Sequence, residues 1–108
     1  MTHQATVTVV SGQVQVSDTK LKPKSKPATL TWTMVTAGYQ FTTSGIAIAN
    51  NTGVFTNPTR STDGLTFTWQ DANTDAVTYN YSIAVQLGSQ PHGILRMDPQ
   101  IENGTLNP

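Results

Sequence analysis

Cysteine is absent from this 108-residue chain, and its absence removes disulfide staples, thiolate nucleophiles and iron–sulfur or zinc–thiolate sites together. The redox compartment is therefore left open. Charge is nearly as scarce. Six basic and six acidic residues cancel to a formal net of zero and make up 11% of the chain, which argues against a nucleic-acid partner, because neutralising phosphates takes clustered excess basicity. No apolar run approaches the length of a membrane span, and the opening Met1-Thr2-His3-Gln4-Ala5 has neither the basic nor the apolar region of a secretory leader. A cytoplasmic protein with no membrane partner is the expectation. Helical periodicity is missing too, since no window carries an apolar stripe at i, i+3 and i+4.

What the chain has instead is alternation. Val77, Tyr79, Tyr81, Ile83, Val85 and Leu87 alternate with Thr78, Asn80, Ser82, Ala84 and Gln86, the pattern of one long strand over 76–87 with a single buried face. Val7 and Val9 lie in a run over 4–10, Val14 and Val16 in one over 13–17, and Ser11-Gly12 between them signals a hairpin. Leu30, Trp32 and Met34 alternate with threonines, as Leu65, Phe67 and Trp69 do with Thr66, Thr68 and Gln70. Ala37-Gly38 and Ser44-Gly45 mark off short strands over 39–42 and 46–49, and Asn50-Asn51-Thr52-Gly53 and Asn57-Pro58-Thr59 bracket a brief one over 54–56. Seven to nine strands with one apolar face each are covered most economically by packing two sheets together. The fold class is therefore all-β, a single antiparallel β-sandwich over residues 1–108, with a lysine/proline-rich loop at 19–27 and a C-terminal tail at 98–108. Threonine suits this plan, being β-branched for the strand and hydroxylated for the wet outer face.

Few residues carry chemistry. Lys20, Lys22, Lys24 and Lys26 are four of the six basic residues, but the interleaved Pro23 and Pro27 and the lack of aromatic neighbours suit a solvated connector better than an anion-binding patch. Asp71-Ala72-Asn73-Thr74-Asp75 opens like a calcium loop, yet Ala76 stands where such a loop needs glycine and Ser82 where it needs a bidentate glutamate. Asx turns explain the same residues without a metal. His3, His92 and Met97 make no complete ligand set, and Ser89-Gln90-Pro91-His92 lacks a group to orient the imidazole. Asp63, Asp71, Asp75, Asp98 and Glu102 mostly occupy turn positions. No enzyme activity, catalytic residue, metal or cofactor is expected. Among the aromatics, Trp32, Trp69, Tyr79 and Tyr81 share parity with the aliphatic residues of their strands and belong to the core. Tyr39, Phe41 and Phe55, on short turn-flanked segments, are the candidates for an exposed stacking face.

The run Asp75-Ala76-Val77-Thr78-Tyr79-Asn80-Tyr81 resembles the start of strand F in immunoglobulin-like domains, with Tyr79 at the corner, Tyr81 in place of the disulfide cysteine and Trp32 as the core tryptophan. The tail Met97-Asp98-Pro99-Gln100-Ile101-Glu102-Asn103 resembles the Asp-Pro-x-Ile-x-Asn ending of small bacterial β-proteins called the DP-EP family, and a similar ending in bacterial inclusion-body proteins. Where that family name suggests a later Glu-Pro, this chain has Asn107-Pro108. The resemblance implies a bacterial source and a family without an established activity. Asp98, Pro99, Ile101 and Asn103 are read as a structural tail motif. Pro99 ends the last strand at Asp98, the Asp98 carboxylate accepts backbone donors of the turn, and Ile101 docks into the open end of the sandwich.

These readings converge on a non-catalytic structural or protein-interaction module, a homo-oligomer that self-associates through an exposed edge strand with little like-charge repulsion to oppose it. The rival is a small-ligand or carbohydrate-binding module built on Tyr39, Phe41 and Phe55.

Overall fold

Alternation with a period of two becomes ten strands. The computed structural model describes residues 2–88 and 94–104. Its strands are β1 (Thr2–Val10), β2 (Gln13–Val16), β3 (Lys20–Leu21), β4 (Ala28–Met34), β5 (Tyr39–Ile48), β6 (Phe55–Arg60), β7 (Thr66–Asp71), β8 (Thr78–Leu87), β9 (Leu95–Met97) and β10 (Gln100–Glu102). They form two five-stranded sheets, one ordered β2-β1-β4-β7-β6 and the other built from β3-β10-β8-β5 with β9 also paired to β8. Within this plan, β4-β7-β6 and β10-β8-β5 follow the B-E-D and G-F-C orders of an immunoglobulin sandwich. No helix among the described residues is long and apolar enough to cross a membrane.

The sheets are mixed, which corrects the antiparallel expectation. β1 runs parallel to β4, and β3 runs parallel to β10. The cause lies in the lysine-rich segment: after the β1–β2 hairpin the chain crosses to the other sheet as β3, then returns and enters β4 in the direction of β1. Two further corrections come from single residues. Gly45 does not break a strand, because β5 continues through it with a register shift between Phe41 and Ile46. A Cβ at Gly45 would lie 2.7 Å from the Phe41 Cβ and 3.2 Å from the Ala84 carbonyl oxygen, so the bulge there requires glycine. Pro58 likewise lies inside β6, on a sheet edge where its missing N–H is harmless, at a register shift with Asn57 at φ 57°.

The core between the sheets contains Leu30, Trp32, Phe41, Ile46, Phe67, Tyr81 and Ile83, all buried. Trp32 Nε1 donates to the Tyr81 hydroxyl at 3.0 Å, and the two rings sit 5.3 Å apart. Trp32 on the B-like β4 and Tyr81 on the F-like β8 thus stand where an immunoglobulin domain has its two disulfide cysteines, which corrects the reading of Trp32 as the strand-C core tryptophan; burial pushes the Tyr81 hydroxyl up to about 12. Trp69 is only half-buried, against the core expectation, and spends its Nε1 on the Ile46 carbonyl at 2.9 Å. The long alternation of β8 also frays at its ends, where Val77 and Leu87 are exposed, while Ala84 on the opposite face is buried beside Gly45.

The tail is the largest correction. Pro99 interrupts the ladder without ending it: its carbonyl accepts the Tyr81 N–H at 3.0 Å, and the Gln100 N–H reaches the Thr19 carbonyl at 2.9 Å. β10 then lies between β8 and β3, pairing Ile101 with Tyr79 on one side and with Leu21 on the other. Ile101 is fully buried as a strand residue of the core, not as a plug at an open end. Asp98 is exposed and makes no turn with its carboxylate, whereas Pro99 and Asn103 are buried. Ile101→Ala is expected to cost about 2–5 kcal/mol, the range for a fully buried aliphatic truncation, and a chain truncated after Met97 more than that; denaturant midpoints measure both.

Candidate functional site

Two of the three aromatics nominated for a stacking face point inward. Phe41 is fully buried and meets Phe67 edge-on at 6.1 Å, and Phe55 is buried edge-on against Tyr79 at 4.8 Å. Tyr39 is half-buried against the core. The reason is the bulged continuation of β5, which puts Phe41 on the inner face and holds its backbone there. The Phe41 N–H donates to Gly64 O at 2.8 Å, and Arg60 Nε donates to Phe41 O at 2.8 Å. Arg60 also bonds Gln40 Oε1 through Nη2. No sugar-sized aromatic platform remains at these positions. A shallow depression of about 340 Å³ beside them is lined by Trp69, Pro58, Arg60 and Ile48, and one of about 450 Å³ by Ala47, Asn80, Ser82 and Asp98.

The oxygens of Asp71-Ala72-Asn73-Thr74-Asp75 are drawn into a polar knot with the tail. Asp71 and Asn73, at the end of β7, and Asn103, just past β10, are buried. Asp71 Oδ1 accepts the Asn73 N–H at 2.8 Å and Asn103 Nδ2 at 3.1 Å. Asn103 Nδ2 also reaches Asp75 Oδ1 at 3.1 Å, and the Tyr79 hydroxyl donates to Asp75 Oδ2 at 2.6 Å. Asn73 spans further: its Nδ2 donates to the Ser25 and Pro23 carbonyls at 2.9 and 3.3 Å, and its Oδ1 accepts the Gly104 N–H at 2.9 Å. The β7–β8 loop, the lysine-rich loop and the tail are thereby joined through three side chains.

Electrostatics divide the two carboxyls. Burial pushes Asp71 up to about 6 against the pull of its hydrogen bonds from Asn73 and Asn103, and the Asp75 charge adds to the rise. For Asp75, burial acts upward, but the hydrogen bonds from Tyr79 and Asn103 outweigh it and hold the carboxyl below its usual range. Tyr79, as the donor in that pair, is pushed up to about 12. Among the described residues no three His, Asp or Glu side chains are grouped to hold a metal ion. His3 Nε2 accepts the Lys24 N–H at 2.9 Å, and burial, then neighbouring positive charge, lowers its pKa. His92 and the serine beside its loop, Ser89, lie outside the described residues.

A second feature lies at the opposite end of the sandwich, and parity reading overlooked it. Val10, Val35, Leu65, Leu87 and Ile94 are large apolar residues exposed to solvent, and Val77 alone of the exposed set lies at the knot end. Register puts the five at the same end. The Val35 N–H bonds Val7 O, the Met34 N–H bonds Leu65 O, Leu87 pairs with Tyr39, and Val10 pairs with Gln13 across the hairpin turn. Ile94 immediately precedes β9, whose Leu95 pairs with Val85. All lie at the ends of apolar runs beside turns or loops, and that position was the available clue.

No family model matches this chain, and no curated protein matches it.

Asn103→Ala removes the one amide that both carboxyls share. The expected loss is about 1–3 kcal/mol, the cost of taking a donor from a buried carboxylate, with the denaturant midpoint lowered and the slope of the transition unchanged.

Proposed function

We propose that this chain is a non-catalytic structural and interaction module that associates with a second copy of itself through its apolar loop end. The observation that carries the reading is the gathering of Val10, Val35, Leu65, Leu87 and Ile94 at one end, on a chain whose knot end holds the lysine-rich loop. Large exposed apolar residues gathered at one end of a domain are the kind of feature that marks a contact surface. A formal net charge of zero leaves little long-range repulsion between copies.

Addition of strands edge to edge, the route expected from sequence, is opposed at three of the edges by how they are built. β3 is two residues long and carries Lys20, β6 carries Pro58 and a bulge, and the β5 edge gives its Phe41 N–H, Phe41 C=O and Ile46 C=O to partners in the other sheet. Short, charged, proline-bearing or covered edges resist pairing. The loop end has no such guard. With cross-sectional extents of 24 × 23 Å, it offers a contact at the small end of known interfaces, about 600 Å² a side. The likeness of the tail to the DP-EP ending belongs to the same proposal, in which Ile101 and Asn103 serve the fold and leave recognition to the other end.

Sedimentation equilibrium tests this. A reversible dimer at high micromolar concentration is expected, and Val35→Glu with Leu87→Glu should shift it to monomer without lowering the melting temperature. A wild-type chain that stays monomeric throughout, or a double variant that associates equally well, contradicts the proposal.

A further inference from the structure

The polar knot contains two oxygens that its own hydrogen bonds leave over. Asp71 Oδ2 and Asn103 Oδ1 are both buried, and neither has a donor among the described residues. The residues that carry them face each other, since Asn103 Nδ2 lies 3.1 Å from Asp71 Oδ1. Among the described residues Asp71 also has no cationic partner. The ion pair among the described residues joins Lys20 to Glu102 at 3.8 Å, and the neighbour that acts on Asp71 by charge is another carboxylate, Asp75. A fully buried carboxylate with one bare oxygen and a like charge beside it is among the costliest arrangements a fold can hold.

We propose that Asp71 is a proton-binding site, a carboxylic acid whose Oδ2–H donates to Asn103 Oδ1 while Asn103 Nδ2 donates back to Asp71 Oδ1. One proton then satisfies both orphaned oxygens and closes a two-bond ring between β7 and the tail. Two bare oxygens suit a proton better than a hard cation such as calcium, which takes six to eight oxygen ligands. The remaining oxygens here, Asp71 Oδ1, both of Asp75 and Asn73 Oδ1, already accept protein donors. The titratable and charged groups on the elements around Asp71 are Asp75, Tyr79 and Tyr81 on β8, Arg60 at the far end of β6, Glu102 on β10, His3 on β1 and the lysines of the loop that Asn73 holds.

The direction of the pH effect follows. With a folded pKa raised from 3.8 to about 6, Asp71 binds its proton roughly a hundredfold more tightly in the folded chain than in the unfolded one. The stability that this proton contributes is fully present below about 3.8 and is lost as pH rises through about 6. Asp75 and Asp63, held below the usual range, act oppositely and lose their contribution only in stronger acid. The tail is therefore fastened most firmly in mildly acidic solution and loosens above it.

Carboxyl-carbon NMR titration of the wild-type chain, with melting temperatures of wild type and Asp71→Asn at pH 5 and pH 8, decides the matter. The expected results are an Asp71 midpoint about two units above an ordinary aspartate, a wild-type melting temperature several degrees higher at pH 5 than at pH 8, and a variant that melts above wild type at pH 8 with little pH dependence. The carboxamide of the variant supplies permanently the donor that the proton supplies in wild type. A midpoint at or below the ordinary value overturns the proposal, as does a variant that fails to fold or melts below wild type at pH 8. So does millimolar calcium that raises the wild-type melting temperature at pH 8, which would assign a cation to the same oxygens.

Discussion

The pairing of the tail with β8 is the constraint on which the rest of this sandwich depends. With no disulfide available, the chain uses its last described residues as a central strand: Ile101 enters the core opposite Tyr79, and Asn103 ties Asp71 to Asp75. β3 depends on the same segment, because β10 is its partner in the sheet. The lysine-rich loop depends on it at one remove, through Asn73, which holds that loop and the Gly104 amide at once. An isolated two-residue strand such as β3 would gain far too little from its own hydrogen bonds to offset the entropy of ordering it.

The result is a molecule with two unlike ends. At one, three loops are joined by buried side-chain hydrogen bonds, and the charge of the lysine-rich loop stays at the surface. At the other, five apolar residues lie open around hairpin and loop turns. Along the flank between them, Arg60, Trp69 and the loop carrying Gly64 stitch β5 to the opposite sheet. Burial of the exposed aliphatic side chains at the apolar end would be driven by their desolvation.

Much of the fold was legible because one face of each strand is buried, and parity then identifies the core: Trp32, Tyr79 and Tyr81 all lie where alternation puts them. Alternation says nothing of strand direction, so the parallel pairing of β1 with β4 could not be read. Gly45 and Pro58 misled for a shared reason. Turn chemistry and bulge chemistry use the same residues, and only the neighbouring sheet distinguishes them. That error also made Phe41 and Phe55 look exposed, by cutting short the strands that bury them. The oxygens of Asp71, Asn73 and Asp75 were visible as an Asx-rich loop, but their partner Asn103 lies about thirty residues downstream, and no local pattern links a loop to a tail that pairs only after folding. The apolar end was hidden because parity assigns Leu65 and Leu87 to the core with the rest of their runs, while Val10 and Val35 stand out of parity as lone outward residues and only the fold puts them at one end.

The central claim is that residues 100–103 are an integral strand that unfolds together with the core. Native-state hydrogen exchange tests it most directly. The amides of Tyr81, Gln100 and Asn103, which bond Pro99, Thr19 and Val77, are predicted to exchange with the same opening free energy as β4 amides around Trp32, as members of one cooperative unit. Exchange of Gln100 and Asn103 orders of magnitude faster than that of the β4 amides would show that the tail opens independently and would contradict the account.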